Sequence, residues 1–174
     1  FGAQAGHLYD HPQVDTVLSE GRNYLSRSDR RFGVIFLGFV DSWASVASGG
    51  LSLAENYLYT TEAFRAYYDH LTDDGLLVIM RWDVDIPRLV TNSVALLGAE
   101  AAGRRVAVLM EKRGTREDPP QMIFILKKRP FSEAETSMVL DQWTSARPVI
   151  VPGRVAAPPY DALLSGDTSL EAWV

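Results

Sequence analysis

The sequence predicts an α/β domain with a mostly parallel sheet and an antiparallel edge strand near its C-terminal end. Short apolar runs alternate with stretches of helical periodicity along most of the 174 residues. Such alternation favours parallel strands joined by right-handed helical crossovers. One pair of runs, Val106 to Met110 and Met122 to Leu126, has no helix between them and predicts the antiparallel strand. Since 47% of the residues are apolar, the chain can fill a core of its own.

Composition excludes several classes of protein. The net charge of −5 argues against a nucleic-acid partner, which usually binds basic domains. The chain has no cysteine, which excludes disulfide frameworks and thiolate metal sites. His7, His11 and His70 lack metal-ligand spacing, so we expect no metal. No apolar run approaches the roughly 20 residues of a membrane span. We therefore expect a cytoplasmic segment without membrane contact, although Phe1 is not an initiating Met and the parent protein could be membrane-tethered.

The first half of the chain contains two predicted strands and one short helix. Val14 to Ser19 alternates polar and apolar residues and predicts a strand. Arg22 to Ser28 predicts a short helix. Gly33 to Phe39 is almost entirely apolar, as expected of a strand that is covered on both faces. A long loop from Asp41 to Asn56 follows, containing the pair Gly49-Gly50.

The middle of the chain predicts two further helices separated by a strand. Thr60 or Thr61 is the expected cap of the first helix, whose apolar residues recur at helical spacing. A turn is expected at Asp73-Asp74-Gly75, before a buried strand at Leu76 to Trp82. Asp85 is the expected cap of the second helix, which has Pro87 in its first turn. That helix is predicted to run to about Ala102 and to end at Gly103.

The C-terminal part predicts one capped helix and then an irregular tail. Ser132 and Glu135 match a capping box, which opens a helix that runs to about Trp143. Residues 147–174 are rich in Pro and Gly, and we expect them to be mostly irregular, with one short helix at Tyr160 to Leu164. The predicted domain is therefore residues 1–146, followed by this tail.

Three segments, in this order, resemble the C-terminal part of the spermidine synthase family. These enzymes are aminopropyltransferases on the class I S-adenosylmethionine-dependent methyltransferase fold, which is Rossmann-like. The resemblance covers roughly Leu8 to Leu164. The segments are LYDHPQV with EGRNYL at residues 8–14 and 20–25, SDRRFGVIFL at 28–37, and ENYLYTTEAF with LTDDGLL at 55–64 and 71–77.

The resemblance implies a nucleoside donor, S-adenosylmethionine or its decarboxylated form. The family has an acidic residue before a glycine near the adenine of this donor. Those two positions fall on Glu20 and Gly21, which we therefore take as candidate cofactor-binding residues. A solvated carboxylate at the end of a strand is the alternative interpretation of Glu20.

The resemblance also indicates which positions would carry the catalytic residues. At three of these positions the sequence departs from the family pattern. The first aspartate of the family's catalytic loop falls on Gly38, and the second falls on Asp41. A glutamine near the substrate amine falls on Met80, and the acid just after it falls on Trp82. Asp41 is the remaining candidate catalytic acid; a turn or helix cap is its alternative role.

These departures argue against a polyamine acceptor. An attacking amine is protonated near neutral pH, and a positioned carboxylate that accepts its proton contributes about 10²–10⁴-fold to the rate. A glycine cannot accept a proton, and Met80 and Trp82 make the neighbouring strand ends apolar. Direct displacement at a sulfonium carbon can still run mainly on proximity.

The resemblance places two strands of the family's sheet between the Val14 strand and the Val34 strand, and neither is in these residues. The glycine-rich cofactor turn and the ribose-binding acid are absent with them. The sheet is therefore expected to be incomplete, and its open edges invite pairing with another chain. We expect a homodimer or a missing N-terminal half. Two functions stay open: a transferase module that acts on an unknown small-molecule acceptor, and a catalytically inactive interaction or dimerisation domain.

Overall fold

A computed structural model describes residues 6–39, 57–111, 120–141 and 146–173, which form a six-stranded sheet with the order β1-β2-β4-β3-β5-β6. The strands are β1 Phe32–Gly38, β2 Leu71–Trp82, β3 Val106–Glu111, β4 Gln121–Lys127, β5 Ala146–Val151 and β6 Val155–Ala156. The helices are α1 Gly21–Ser26, α2 Thr61–Asp69, α3 Ile86–Leu97, α4 Ala99–Gly103, α5 Glu133–Asp141, α6 Tyr160–Ser165 and α7 Leu170–Trp173. Single 3₁₀ turns lie at Leu8–Asp10, Tyr57–Tyr59 and Asp83–Asp85.

The α/β class and the late antiparallel pair are confirmed. Strands β1 and β2 are parallel, and β3 and β4 form the predicted antiparallel pair. The described sheet is nevertheless mixed, because the pairings β2–β4, β3–β5 and β5–β6 are also antiparallel. Four of the six strands still run in the direction of β1, since β4 and β5 alone are reversed. Among the described strands, β1 and β2 are the one pair of neighbours that run parallel. A long crossover connection joins them, as parallel pairing requires.

One face of the sheet is covered by helices and holds the main core. Leu77 and Ile79 of β2 and Phe124 of β4 are fully buried on this face. Phe64 of α2 packs its ring 6.0 Å from that of Phe124. Helix α3 adds Leu89 to the same cluster. The core therefore lies between α2, α3 and the central strands.

Strand β1 is not covered on both faces, contrary to prediction. Val34 is 56% exposed and Phe36 is 59% exposed, whereas Leu37 on the opposite face is buried. Strand β1 ends the sheet, and within the described residues no element packs over Val34 and Phe36. An apolar sequence shows that both faces can be buried, but it does not supply the second cover.

The predicted strand at Val14 to Ser19 is wrong. These residues adopt no regular structure, and Leu18 is fully exposed. A strand needs hydrogen-bonding neighbours, and the described sheet ends at β1 without reaching this segment.

The turn predicted at Asp73-Asp74-Gly75 is also wrong, because these residues lie within the bounds of β2. Phe32 pairs with Leu71 but Val34 pairs with Leu76, so an irregularity in β2 accommodates the extra residues. Gly75 is required there, because a Cβ atom would lie 2.8 Å from the carbonyl oxygen of Phe32.

The helix ends agree with prediction in part. Thr60 caps α2, accepting a hydrogen bond from the backbone N–H of Ala63 at 3.2 Å. Asp85 makes no side-chain cap, because its carboxylate accepts a bond from Arg81 Nε at 2.9 Å instead. The single helix predicted to Ala102 is two helices, α3 and α4, separated by Gly98 at φ 81°. A positive φ interrupts the helix, and glycine tolerates it.

The capping box is confirmed, and the tail is more regular than predicted. Ser132 N–H donates to Glu135 Oε2 at 2.8 Å, and Glu135 N–H donates to Ser132 Oγ at 3.3 Å. The predicted end of this helix at Trp143 lies outside the described residues. Residues after Arg147 continue β5 and form β6, α6 and α7, of which α6 confirms the predicted short helix. Pro148 is tolerated in β5 because it sits beside a register irregularity against β3.

Among the helices that the structure describes, none has the length and apolar character needed to cross a membrane.

Candidate functional site

The carboxyl ends of β1 and β2 lie side by side, as ligand sites in parallel sheets require. Gly38 is the register partner of Met80, so two of the positions that depart from the family pattern are direct neighbours. Phe39 follows at φ 43°, an uncommon backbone conformation for a residue other than glycine. Its ring lies 5.1 Å from that of Trp82. These strand ends therefore present an apolar, aromatic surface where the family carries acids.

A paired charge borders this aromatic surface. The Arg81 guanidinium lies 4.8 Å from the ring centroid of Tyr59 and donates to Asp85 at 2.9 Å. The side chain of Arg81 is only 13% exposed. The carboxylate of Asp85 is therefore engaged in an ion pair with this cation.

Glu20 is a helix cap in the structure. Its two carboxylate oxygens accept hydrogen bonds from the backbone N–H groups of Arg22 at 2.8 Å and Asn23 at 2.9 Å. Both bonds satisfy donors at the start of α1 and place negative charge at its positive end. The sequence alone did not indicate this role, since glutamate is not among the preferred capping residues.

Gly21 lines an apolar cavity of about 230 Å³ beside β1. A Cβ atom at Gly21 would meet no other atom within 4 Å, so the backbone here faces open space. The cavity brings the predicted cofactor position next to aromatic and aliphatic side chains. Its lining consists of Gly21, Tyr24, Leu25, Tyr67 and the β1 residues Phe32, Val34, Ile35, Phe36 and Leu37.

Tyr67 forms the inner wall of this cavity and stays neutral. Burial raises the pKa of Tyr67 strongly, and the negative charge of Glu20 raises it further. The hydroxyl donates to the carbonyl oxygen of Leu58 at 3.0 Å. Tyr67 can therefore shape the cavity and fix the turn before α2, but it cannot serve as a base near neutral pH.

A polar network that the sequence analysis did not identify lies between the start of α2 and the middle of α3. Asn92 is 8% exposed; its amide donates to the carbonyl oxygen of Tyr59 at 2.8 Å and accepts from Thr61 Oγ1 at 3.1 Å. No sequence signal links these positions, which are about thirty residues apart. A cavity of about 470 Å³ opens over the network and is lined by Tyr59, Thr60, Thr61, Glu62, Arg88 and Asn92.

Other predicted positions are not brought into a site. Asp41, the candidate catalytic acid, and Gly49-Gly50 lie outside the described residues. His70 contacts the carbonyl oxygens of Ala66 at 2.7 Å and Ser28 at 2.9 Å. In the part of the chain that is described, no three His, Cys, Asp or Glu side chains are grouped as a metal site would need.

Comparison with solved structures identifies the fold. The chain superposes on a spermidine synthase from Thermotoga maritima with a TM-score of 0.53 and 19% identity, over 80% of this chain and 44% of that one. The fold is spermidine-synthase-like. A spermidine synthase solved with the transition-state analogue AdoDATO gives a TM-score of 0.50 at 19% identity, over 79% and 43% of the two chains. The likeness therefore places this chain among class I methyltransferase-like folds.

The spermidine-synthase-like fold is all that these comparisons establish. The chain spans less than half the length of either spermidine synthase. An rRNA methylase from Streptococcus thermophilus also superposes at 19% identity, but its TM-score of 0.44 is too low to support an argument. No family model and no curated protein matches the sequence.

Proposed function

We propose that this chain is part of a transferase that takes a group from an S-adenosyl-type sulfonium donor and passes it to an acceptor other than a polyamine. The observation that carries the proposal is the apolar character of the strand ends on this fold. In such a transfer, a lone pair of the acceptor forms the new bond to carbon. The carbon–sulfur bond breaks, and its electron pair leaves with the neutral thioether.

The strand ends favour an uncharged acceptor. A polyamine needs several carboxylates to hold its charges and to take up the proton of the attacking amine. Gly38, Met80 and the Phe39–Trp82 ring pair offer no such groups, and Asp85 is engaged by Arg81. An apolar surface instead excludes water and holds the acceptor by contact, so that catalysis would rest on proximity. Asp41 remains the proposed acid.

The cavity at Gly21 supports a donor site at the predicted position. Its walls are apolar and aromatic, which suits the flat face of a purine base. Glu20 directly precedes the lining residue Gly21, and its carboxylate is fixed by two backbone N–H groups. The resemblance assigns the same two residues to the adenine of the donor.

Isothermal titration of the 174-residue chain tests the donor site. We expect heat of binding with S-adenosylmethionine or its decarboxylated form, and none with spermidine. Gly21→Leu adds a side chain to a residue that lines the cavity and should weaken donor binding at least tenfold, about 1.4 kcal/mol. Ser26→Leu, at the exposed other end of α1, is the matched control and should bind like the unmodified chain.

Two results would contradict the proposal. Absence of heat with both donors at millimolar concentration would remove the donor site. Heat of binding with spermidine but with neither donor would indicate that the strand ends bind a polyamine.

A second function, an interaction domain without catalysis, is supported by a different observation. One face of the sheet is apolar and largely uncovered in the described structure, as β1 shows. The absence of acids at Gly38, Met80 and Trp82, where the resemblance implies two acids and a glutamine, is compatible with this function as well.

A further inference from the structure

A cavity of about 510 Å³ lies between the β5–β6 hairpin and the helices α4 and α6, and we call it the hairpin cavity. Strands β5 and β6 stand at the opposite end of the strand order from β1, which borders the cavity at Gly21. The two cavities share no lining residue. The volume of the hairpin cavity is within the range of about 300–1,000 Å³ that is typical of small-molecule sites.

The elements that form the walls of the hairpin cavity are all described. The internal gaps in the described chain follow β1, follow β3 and precede β5. These strand ends lie at the same side of the sheet, since Gly38 pairs with Met80 and Glu111 pairs with Ala146. The hairpin cavity lies toward the other ends of these strands, because its lining residue Ile150 is near the end of β5.

The lining of the hairpin cavity combines buried apolar side chains with charged ones of both signs. Ile150 is 1% exposed and Leu164 is 8% exposed, so they form the inner surface of the cavity. Two cations and two carboxylates complete the charged part of the lining, and their formal charges cancel. These four residues are Arg104, Arg154, Glu100 and Asp161.

The charged groups of the hairpin cavity keep unused bonding capacity. The Nη2 atom of Arg104 donates to Glu100 at 2.7 Å, and that of Arg154 donates to Glu133 of α5. Each guanidinium has five N–H donors, so both arginines retain donors for a ligand. The carboxylate of Asp161 accepts no hydrogen bond and joins no ion pair within the described part of the chain. The cavity therefore offers donors for an anionic group and an acceptor for a cationic one.

We propose that the hairpin cavity binds a free amino acid with an apolar side chain. Guanidinium groups match the geometry of a carboxylate, so Arg104 and Arg154 would bind that end of the ligand. Asp161 would accept hydrogen bonds from the ammonium group, and the apolar side chain would lie against Ile150 and Leu164. Because the charges of the lining cancel, a zwitterion finds a partner for each of its charges, whereas an ion of one sign also meets groups that repel it. The inference goes beyond the proposed transferase function and does not depend on it.

Two-dimensional amide NMR spectra of the isotope-labelled 174-residue chain, titrated with L-leucine, test the proposal. We expect saturable shifts of the amide signals of Gly103 and Gly153, which line the hairpin cavity. The amide signal of Gly21, which lines the other cavity, should not shift. N-acetyl-L-leucine lacks the ammonium group and L-leucinamide lacks the carboxylate, so each should bind at least tenfold more weakly than L-leucine.

Two exposed side chains of the cavity allow variants that leave the core intact. Asp161→Asn removes the charge that attracts the ammonium group, and Arg104→Gln removes one guanidinium. Each variant should raise the dissociation constant of L-leucine at least tenfold. The matched controls are Glu171→Gln, an acid in the first turn of α7, and Arg129→Gln, an exposed arginine paired with Asp73. Both controls lie outside the cavity and should bind L-leucine like the unmodified chain.

Several outcomes would overturn the proposal. If no signal shifts with L-leucine at millimolar concentration, the cavity does not bind an amino acid. If either analogue binds as tightly as L-leucine, the site does not recognise a zwitterion. If neither Asp161→Asn nor Arg104→Gln weakens binding, or if Gly21 shifts in place of Gly153, the amino acid binds elsewhere on the chain.

Discussion

The two faces of the central strands carry equally apolar side chains, but the chain covers them very differently. Along β2, Leu77 and Ile79 are fully buried under α2 and α3, whereas the alternating residues Val78 and Met80 are only partly buried. Val78 and Met80 lie on the opposite face of the sheet, which we call the open face because, within the described residues, no element packs over Val34 and Phe36 of β1 there. Both sets come from one uninterrupted apolar run. The difference shows that the sequence of a strand sets how much surface it can bury, while the helices elsewhere in the chain decide which face is buried.

The largest expected effect comes from comparing one phenylalanine on each face of the sheet. Phe124 is fully buried on the covered face, and Phe36 is 59% exposed on the open face. Phe124→Ala should lower the free energy of unfolding by about 3–5 kcal/mol, because it leaves a cavity between the sheet and α2. Phe36→Ala should cost less than about 1 kcal/mol, because its ring loses little burial. Urea unfolding at concentrations where the chain sediments as a monomer measures both values.

The comparison would be contradicted if Phe124→Ala and Phe36→Ala lowered the free energy of unfolding of the monomer by similar amounts. That result would mean that Phe36 is buried in solution within a single chain.

Acidification should lower the stability by a smaller amount, through an ion pair of α5. This helix packs over β3 on the same side of the sheet as the open face. The hydrogen bond from Lys127, together with that from the Ser132 backbone N–H, lowers the pKa of the Glu135 carboxyl to about 2. Since this pKa is depressed in the folded state, its stabilisation is present above the usual pKa of about 4.5 and is lost as the pH falls toward 2. We expect the loss to be smaller than that of Phe124→Ala.

Chemical unfolding of the chain and of Glu135→Gln, measured from pH 6 to pH 2, isolates this contribution. The stability difference between the two proteins should shrink as the pH falls. A constant difference would show that the pair with Lys127 does not hold α5 against β4.

The smallest expected effect is at Gly38, on the open-face side of β1. A Cβ atom there would lie 2.7 Å from Cε1 of Phe36, so the ring must move in Gly38→Ala. The ring is more than half exposed and can rotate away, and we expect a cost of about 0.5 kcal/mol or less by urea unfolding. A clearly larger cost, abolished when Phe36→Ala is added, would show that the ring is held in place.

Much of the fold was predictable because the local sequence signals favour the same helices and strands that pack around the core. Ser132 and Glu135 form their capping box, Thr60 caps α2, and Val106 to Met110 pairs with Met122 to Leu126 as expected. Predictions failed where long-range pairing overrides local preference. Asp73-Asp74-Gly75 reads as a turn, but it extends β2, with Arg129 binding the carboxylates of Asp73 and Asp74.

Of the candidate site, the sequence indicated which strand ends are neighbours but not the hydrogen bonds around them. The resemblance brought Gly38 and Met80 to neighbouring strand ends, and the register pairs them directly. The role of Glu20 as a cap was missed because glutamate is not among the preferred capping residues and the role depends on the path of the backbone. The Asn92 network was missed because its members lie on separate elements.

The sequence by itself determined the α/β class and the places where most helices and strands form, and its resemblance to the spermidine synthase family indicated that Gly38, Met80 and Trp82 stand where that family has two acids and a glutamine. These properties are encoded within short windows of residues, by periodicity, capping and residue type. Only the tertiary structure decided that, within the described residues, Val14 to Ser19 joins no strand, residues after Arg147 extend the sheet, and no element packs over Val34 and Phe36 of β1. These outcomes depend on which distant elements meet, because burial and strand pairing are satisfied between segments and not within them.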